Sequence, residues 1–245
     1  MSKLHERMVQ REALREPPYR QIETISEEER QDLIRKIGGV ENYNLEVLTL
    51  LVEKHPENEE YKRALLSLVL SAEFRGLDAF GRFVCQWHHQ GVPWEMTLAM
   101  SRQMWDETRH AQLNMKLLEK SGGRLGEYPD ILGRAPNQEN MTEEEIERAQ
   151  NIDPVQAMAT IQVGLEGIAL SRFMETHLLG GKIGDEALEQ AHDYNWADEV
   201  THVANGDYWI KELCKEDPER EAKALNAQAF FEMAMALQRE ALPEE

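Results

Sequence analysis

Apolar residues recur every three or four positions through most of the chain, as in ALLSLVLSAEFRGLDAFGRF and AMATIQVGLEGIALSRF. That is the spacing of one face of an α-helix, whereas the period-two alternation of strands is nearly absent and good helix formers predominate. The pattern predicts an all-α protein. Residues 1–25 read as a polar arm. A capping box at Ser26-Glu-Glu-Glu29 opens a short helix that stops at Gly38-Gly39, and another helix covers about 44–55. Four long helices follow: about 58–90, ending at Gly91-Val92-Pro93; from there to Gly122-Gly123; from Asp153-Pro154 to Gly180-Gly181; and about 185–216. A last helix begins at Asp217-Pro218 and is expected to pack on the outside of the others.

Two tight turns and one long connection, residues 124–153, make two helical hairpins joined by a crossover, the connectivity of a ferritin-like four-helix bundle. A connection of this length inside a compact domain is explained if it runs the length of the bundle. The expected organisation is an N-terminal arm with short helices (1–57), the bundle (58–216) and a C-terminal helix packed on it (217–245).

The formal net charge of −19 disfavours nucleic acid and anionic membrane as partners and leaves small molecules or proteins. No run of about 18 apolar residues could cross a bilayer. The start of the chain lacks the apolar segment of a secretory signal, and Cys85 and Cys214 read as reduced, packed thiols, so a cytoplasmic location is expected.

Three Glu-x-x-His motifs place an acid and an imidazole on one helix face: Glu107/His110, Glu189/His192 and Glu199/His202. In an antiparallel hairpin, two residues are level when the turn lies midway between them. Glu73 and Glu107 are level about residue 90, at the Gly91-Val92-Pro93 turn, and Glu166 and Glu199 about the turn at 180–184. Glu189 fails this test: it lies ten residues from Glu199, about 15 Å along the axis. Glu189 and His192 are therefore assigned to the surface or to a layer behind the site.

What remains is one glutamate from each of two helices and a Glu-x-x-His from each of the other two. Four carboxylates and two imidazoles suit a pair of iron or manganese ions, and burying those acids without cations would raise their pKa values until they protonated. Asp106 and Asp198 precede the two Glu-x-x-His glutamates and are expected to hold the imidazoles crosswise, Asp106 on His202 and Asp198 on His110. Arg109 is expected to pair with a bundle carboxylate. Trp105 and Trp196, beside the motifs, are expected in the core.

With these residues in hand, the chain resembles the ferritin-like di-iron carboxylate superfamily over about 58–216. More narrowly, DETRHAQL and ADEVTHVANGDYWIK look like an uncharacterised ferritin-like family with two Asp-Glu-x-x-His motifs. The resemblance implies that Glu107 and Glu199 bridge two metals, with Glu73, Glu166, His110 and His202 as terminal ligands. It implies an oxidoreductase that activates dioxygen with two Fe ions, Mn being the alternative, to oxidise a small organic substrate. Ferroxidase or iron handling, and manganese catalase-like peroxide removal, are the alternative functions. A radical-generating subunit is disfavoured, because Leu77, Asn114, Leu170 and Asn205 stand one turn past the ligands where an oxidisable tyrosine is needed. Small residues at Ala72, Gly76, Gly164, Gly167 and Ala169 are expected to leave room for substrate. No Cys-x-x-Cys motif occurs, so electrons would come from an external donor or from the substrate. A homodimer is expected.

Overall fold

The computed structural model describes residues 26–39, 42–128, 142 and 152–240. The polar arm and most of the crossover, including its acidic run after Thr142, lie outside the described residues. Those described are helical, with no strand among them.

Helix α1 (Glu27–Lys36) starts where Ser26 accepts a hydrogen bond from the Glu29 backbone, and α2 (Leu45–Lys54) where Asn44 accepts one from Val47. Each side-chain oxygen satisfies a backbone N–H that lacks a partner in the first turn. Helix α3 (Glu59–Trp87) runs into a 3₁₀ turn, His88–Gln90, and α4 (Trp94–Lys120) returns alongside it.

The second hairpin begins with α5 (Pro154–Ala157), capped by Asp153, and continues without a break through a π-helical stretch (Met158–Leu165) into α6 (Glu166–Ile183). It returns as α7 (Glu186–Leu213). Helix α8 (Pro218–Glu240) packs on α5 and the π-helical stretch, and Arg220 ties its start to Asp153 at 2.8 Å. Helices α4 and α7 join the hairpins, and α2 lies against α3 and α6.

Helix α6 does not stop at Gly180-Gly181, as the sequence suggests, but at Gly184, whose φ is +74°. Gly180 serves a close approach: a Cβ there would sit 2.4 Å from the Glu189 backbone nitrogen. Two apolar clusters fill the ends of the helix assembly. One contains Leu65, Leu66, Leu70, Leu118 and Leu188; the other contains Phe80, Trp87, Met96, Met100, Met158 and Trp209. Between them, on each long helix, lies a belt of buried polar residues.

Two side chains expected in the core lie outside it: Trp105 is 62% exposed and Cys85 is exposed, whereas Cys214 is buried and Trp196 half-buried. Both cysteines are free. No described helix is long and apolar enough to cross a membrane.

Candidate metal centre

The polar belt contains Glu73, Glu107, His110, Glu166, Glu199 and His202, each with 5% or less of its surface exposed. They fall into two overlapping groups whose donor atoms lie within 4.8 Å of one another: Glu73, Glu107 and His110; and Glu107, Glu166, Glu199 and His202. Two glutamates span the groups. Glu107 places one oxygen 3.5 Å from His110 Nδ1 and the other 3.5 Å from His202 Nδ1, while Glu199 reaches the same nitrogens at 3.5 and 3.0 Å. Glu73 stands beside His110 at 3.4 Å, and Glu166 belongs to the His202 group.

The outer nitrogen of each imidazole faces an aspartate of the opposite helix. His110 Nε2 lies 3.1 Å from Asp198 and His202 Nε2 lies 3.4 Å from Asp106, so the pairs are crossed. With a proton on each Nε2 donated to these carboxylates, the Nδ1 lone pair would face the glutamates, the tautomer that metal binding requires. Arg109 then joins the aspartates to each other, at 2.8 Å from Asp106 and 2.6 Å from Asp198, with its guanidinium over the Tyr194 ring. One cation thus holds both imidazole supports.

Two further residues close the inner side. Gln103 donates to Glu166 Oε1 at 3.2 Å, and Gln162 donates both to Gln103 and to the His202 carbonyl, the latter at 3.0 Å. Gln162 belongs to the π-helical stretch, whose wider winding brings it and Glu166 to the interior together. Gly206 makes this possible, since a Cβ there would lie 2.7 Å from Gln162 Cγ. The signal was present: Gln103 and Gln162 each precede a ligand-candidate glutamate by one turn on the same face.

Burial and mutual proximity shift the titration of these groups. Burial pushes Glu73 up to about 7. Burial and then the charges of Glu199 and Glu107 push Glu166 well above the carboxylate range, and burial and then Glu107 do the same to Glu199. Burial opposes a charged His110, but the surrounding carboxylates of Asp198, Glu107 and Glu73 hold its pKa well above the usual imidazole value. Burial raises Asp106 too, yet the hydrogen bond with His202 keeps it below its ordinary value. Oxygens of Glu73 and Glu107 and Nδ1 of His110 are buried without a hydrogen-bond partner. Carboxylate oxygens with inward-facing imidazole nitrogens are donors suited to iron, manganese or zinc. The residues present fit a metal pair.

The expected substrate room is not where the small residues suggested. Ala72 is exposed, Gly76 is backed by the Glu107 carboxylate 3.0 Å from its would-be Cβ, and Gly164 is covered by Phe231 of α8 at 3.1 Å. Ala169 packs on the first apolar cluster, and only Gly167 of these glycines faces open space. Two surface cavities, of about 590 and 350 Å³, lie at the hairpin ends and are lined by none of the six residues. The third Glu-x-x-His is kept apart from the site, but His192 is fully buried rather than on the surface, and Glu189 is half-buried.

Over residues 40–244 the chain matches the family described as "Protein of unknown function (DUF455)". It belongs to that family. No curated protein and no solved structure matches it.

Proposed function

We propose that this chain is a ferritin-like two-metal oxidoreductase whose centre holds two iron ions, or iron and manganese, and reacts with dioxygen to oxidise a small organic molecule. The observation that carries the reading is the pairing of inward and outward nitrogens on His110 and His202. Each Nδ1 faces glutamates and each Nε2 faces an aspartate. In this reading Glu73 and His110 would hold one ion and Glu166 and His202 the other, with Glu107 and Glu199 serving both. Bound as a pair, such ions supply redox chemistry toward dioxygen or peroxide.

The chain's own residues do the positioning. Asp106 and Asp198 keep the Nε2 protons, Arg109 fixes the distance between those aspartates, and Gln103 holds one oxygen of Glu166. Phe173, 5.9 Å from the His110 ring, and the flanking leucines exclude bulk water. Electrons for turnover come from an external donor or the substrate.

A second reading, peroxide removal in the manner of a manganese catalase, is favoured by one observation: the space at Gly76 and Gly164 is occupied by Glu107 and Phe231. The two separate in one experiment. Protein loaded with iron and, separately, with manganese is assayed for dioxygen uptake under reductant and for oxygen release from hydrogen peroxide. Uptake by the iron form supports the oxidase reading, and release by the manganese form supports the second. Inertness of both forms, with two metals per chain bound, overturns the redox function.

A further inference from the structure

Beyond the metal ligands, the bundle core holds a group of polar side chains that the proposed chemistry does not use. Asn114, His192 and Asn195 are each 0% exposed. Five of their polar atoms have no hydrogen-bond partner: Asn114 Oδ1, both amide atoms of Asn195 and both ring nitrogens of His192. Only the Asn114 amide nitrogen is satisfied, donating to the His110 carbonyl at 3.0 Å.

These atoms are neighbours by helix geometry. Asn195 precedes Glu199 by one turn and His192 precedes it by two, about 6 and 10 Å along the axis. Helix α4 runs the other way, so Asn114, one turn past His110, rises in the same direction and reaches the level of Asn195, with His192 about one turn further on. The group thus stacks on the carboxylate cluster. Phe173 stands between, its ring 5.9 Å from His110 and 5.5 Å from His192. Phe173 belongs to an apolar cluster that also contains Leu66, Leu70 and Leu188, which offer no polar atoms.

Buried polar atoms without protein partners are met by ordered water or ligand. Here they comprise acceptors and donors but no ionised group, and burial drives His192 down to about 3, which keeps it neutral. A charged ligand would find no counter-charge; a neutral molecule that both donates and accepts would satisfy the set.

We propose that Asn114, His192 and Asn195 form an internal binding site for small uncharged hydrogen-bonding molecules, occupied by ordered water and beginning one helical turn from His110 and Glu199. Five orphan atoms at about three bonds per water call for roughly two molecules. The site places exchangeable protons within one turn of His110 and Glu199. That use of the water rests on the two-metal reading, while the hydration itself does not.

The test is a crystal structure of the full chain at about 1.6 Å, together with oxygen-17 relaxation dispersion on zinc-loaded protein in solution. The expected results are water within hydrogen-bond distance of Asn195 and His192, and a count of long-lived internal waters that falls by about two in Asn195→Leu. His192→Leu should give a similar drop and serves if the first variant does not fold. Direct bonds among the three side chains with no water between them would overturn the proposal. So would an internal-water count unchanged in a folded variant. Metal content, measured separately, decides the two-metal reading: hydrated but metal-free protein would sink that reading and leave this one standing.

Discussion

Gly76→Ala separates metal binding from folding, because the nearest atoms its new methyl group meets all belong to Glu107. A Cβ at position 76 would lie 3.0 Å from Glu107 Oε2, 3.2 Å from Cδ and 3.4 Å from Cγ. The carboxylate must give way by a few tenths of an ångström. In metal-free protein it can do so, since Glu107 Oε1 has no hydrogen-bond partner. Alanine in mid-helix also gains up to about 1 kcal/mol over glycine, worth roughly 2–4 °C in a chain of this size. With two ions bound, Glu107 is pinned between them and the clash has no outlet. Overpacking of this kind costs about 1–3 kcal/mol, which is about 5- to 150-fold in affinity. The metal-free variant should therefore melt at or above the wild-type temperature while binding manganese or cobalt more weakly in a competition titration against a chromophoric chelator. Affinity within twofold of wild type would refute the placement of Glu107 as a shared ligand.

Gly206→Ala should lower the melting temperature, because its Cβ would press on Gln162 and on Val163 Cγ2 at 2.7–2.9 Å, a cost of about 1–3 kcal/mol. Gly167→Ala meets nothing within 4 Å and should raise it by a few degrees; calorimetry on both variants checks the contrast. Asp185, which caps α7 and pairs with Lys62, has its pKa raised by burial but lowered more by Lys62 and the Leu188 amide, leaving it below 3.8. The pair's contribution is complete above pH about 4 and is lost as pH falls through the lower folded value. Chemical denaturation should accordingly find Asp185→Asn less stable than wild type at pH 7, with the difference vanishing toward pH 2. Each bound ion at 100 times its dissociation constant should stabilise the chain by about 2.7 kcal/mol, so two such ions should raise the calorimetric transition by roughly 10–20 °C; an unchanged transition would count against binding to the folded state.

Much of the helical layout was legible because caps and stops are local chemistry. Ser26, Asn44, Asp153 and Asp185 each accept backbone hydrogen bonds where a helix starts. The meeting of Glu73, Glu107, Glu166 and Glu199 at one depth was legible because antiparallel hairpins turn residue number into height. What escaped was whatever depends on two elements touching. Gly180 reads as a stop but is a contact for the Glu189 backbone, and Gly76 reads as a gap but is filled by Glu107. The π-helical winding of Met158–Leu165 has no composition signal, although the spacing of Gln162 one turn before Glu166 is legible. Register places His192 two turns from Glu199, yet register describes height along the axis and not burial. Trp105 shows the converse, since a large aromatic beside a buried motif still points outward when its neighbours Asp106 and Glu107 take the interior face.

The central claim is that the four glutamates and two histidines bind two cations per chain. The most direct measurement is anomalous diffraction at a metal edge on protein purified without chelator, with elemental analysis of the same sample. The account predicts two peaks between Glu107 and Glu199, one beside His110 and one beside His202, and about two metal atoms per chain. A metal-free centre after reconstitution with iron and with manganese, its carboxylates protonated and bonded to one another, would contradict it.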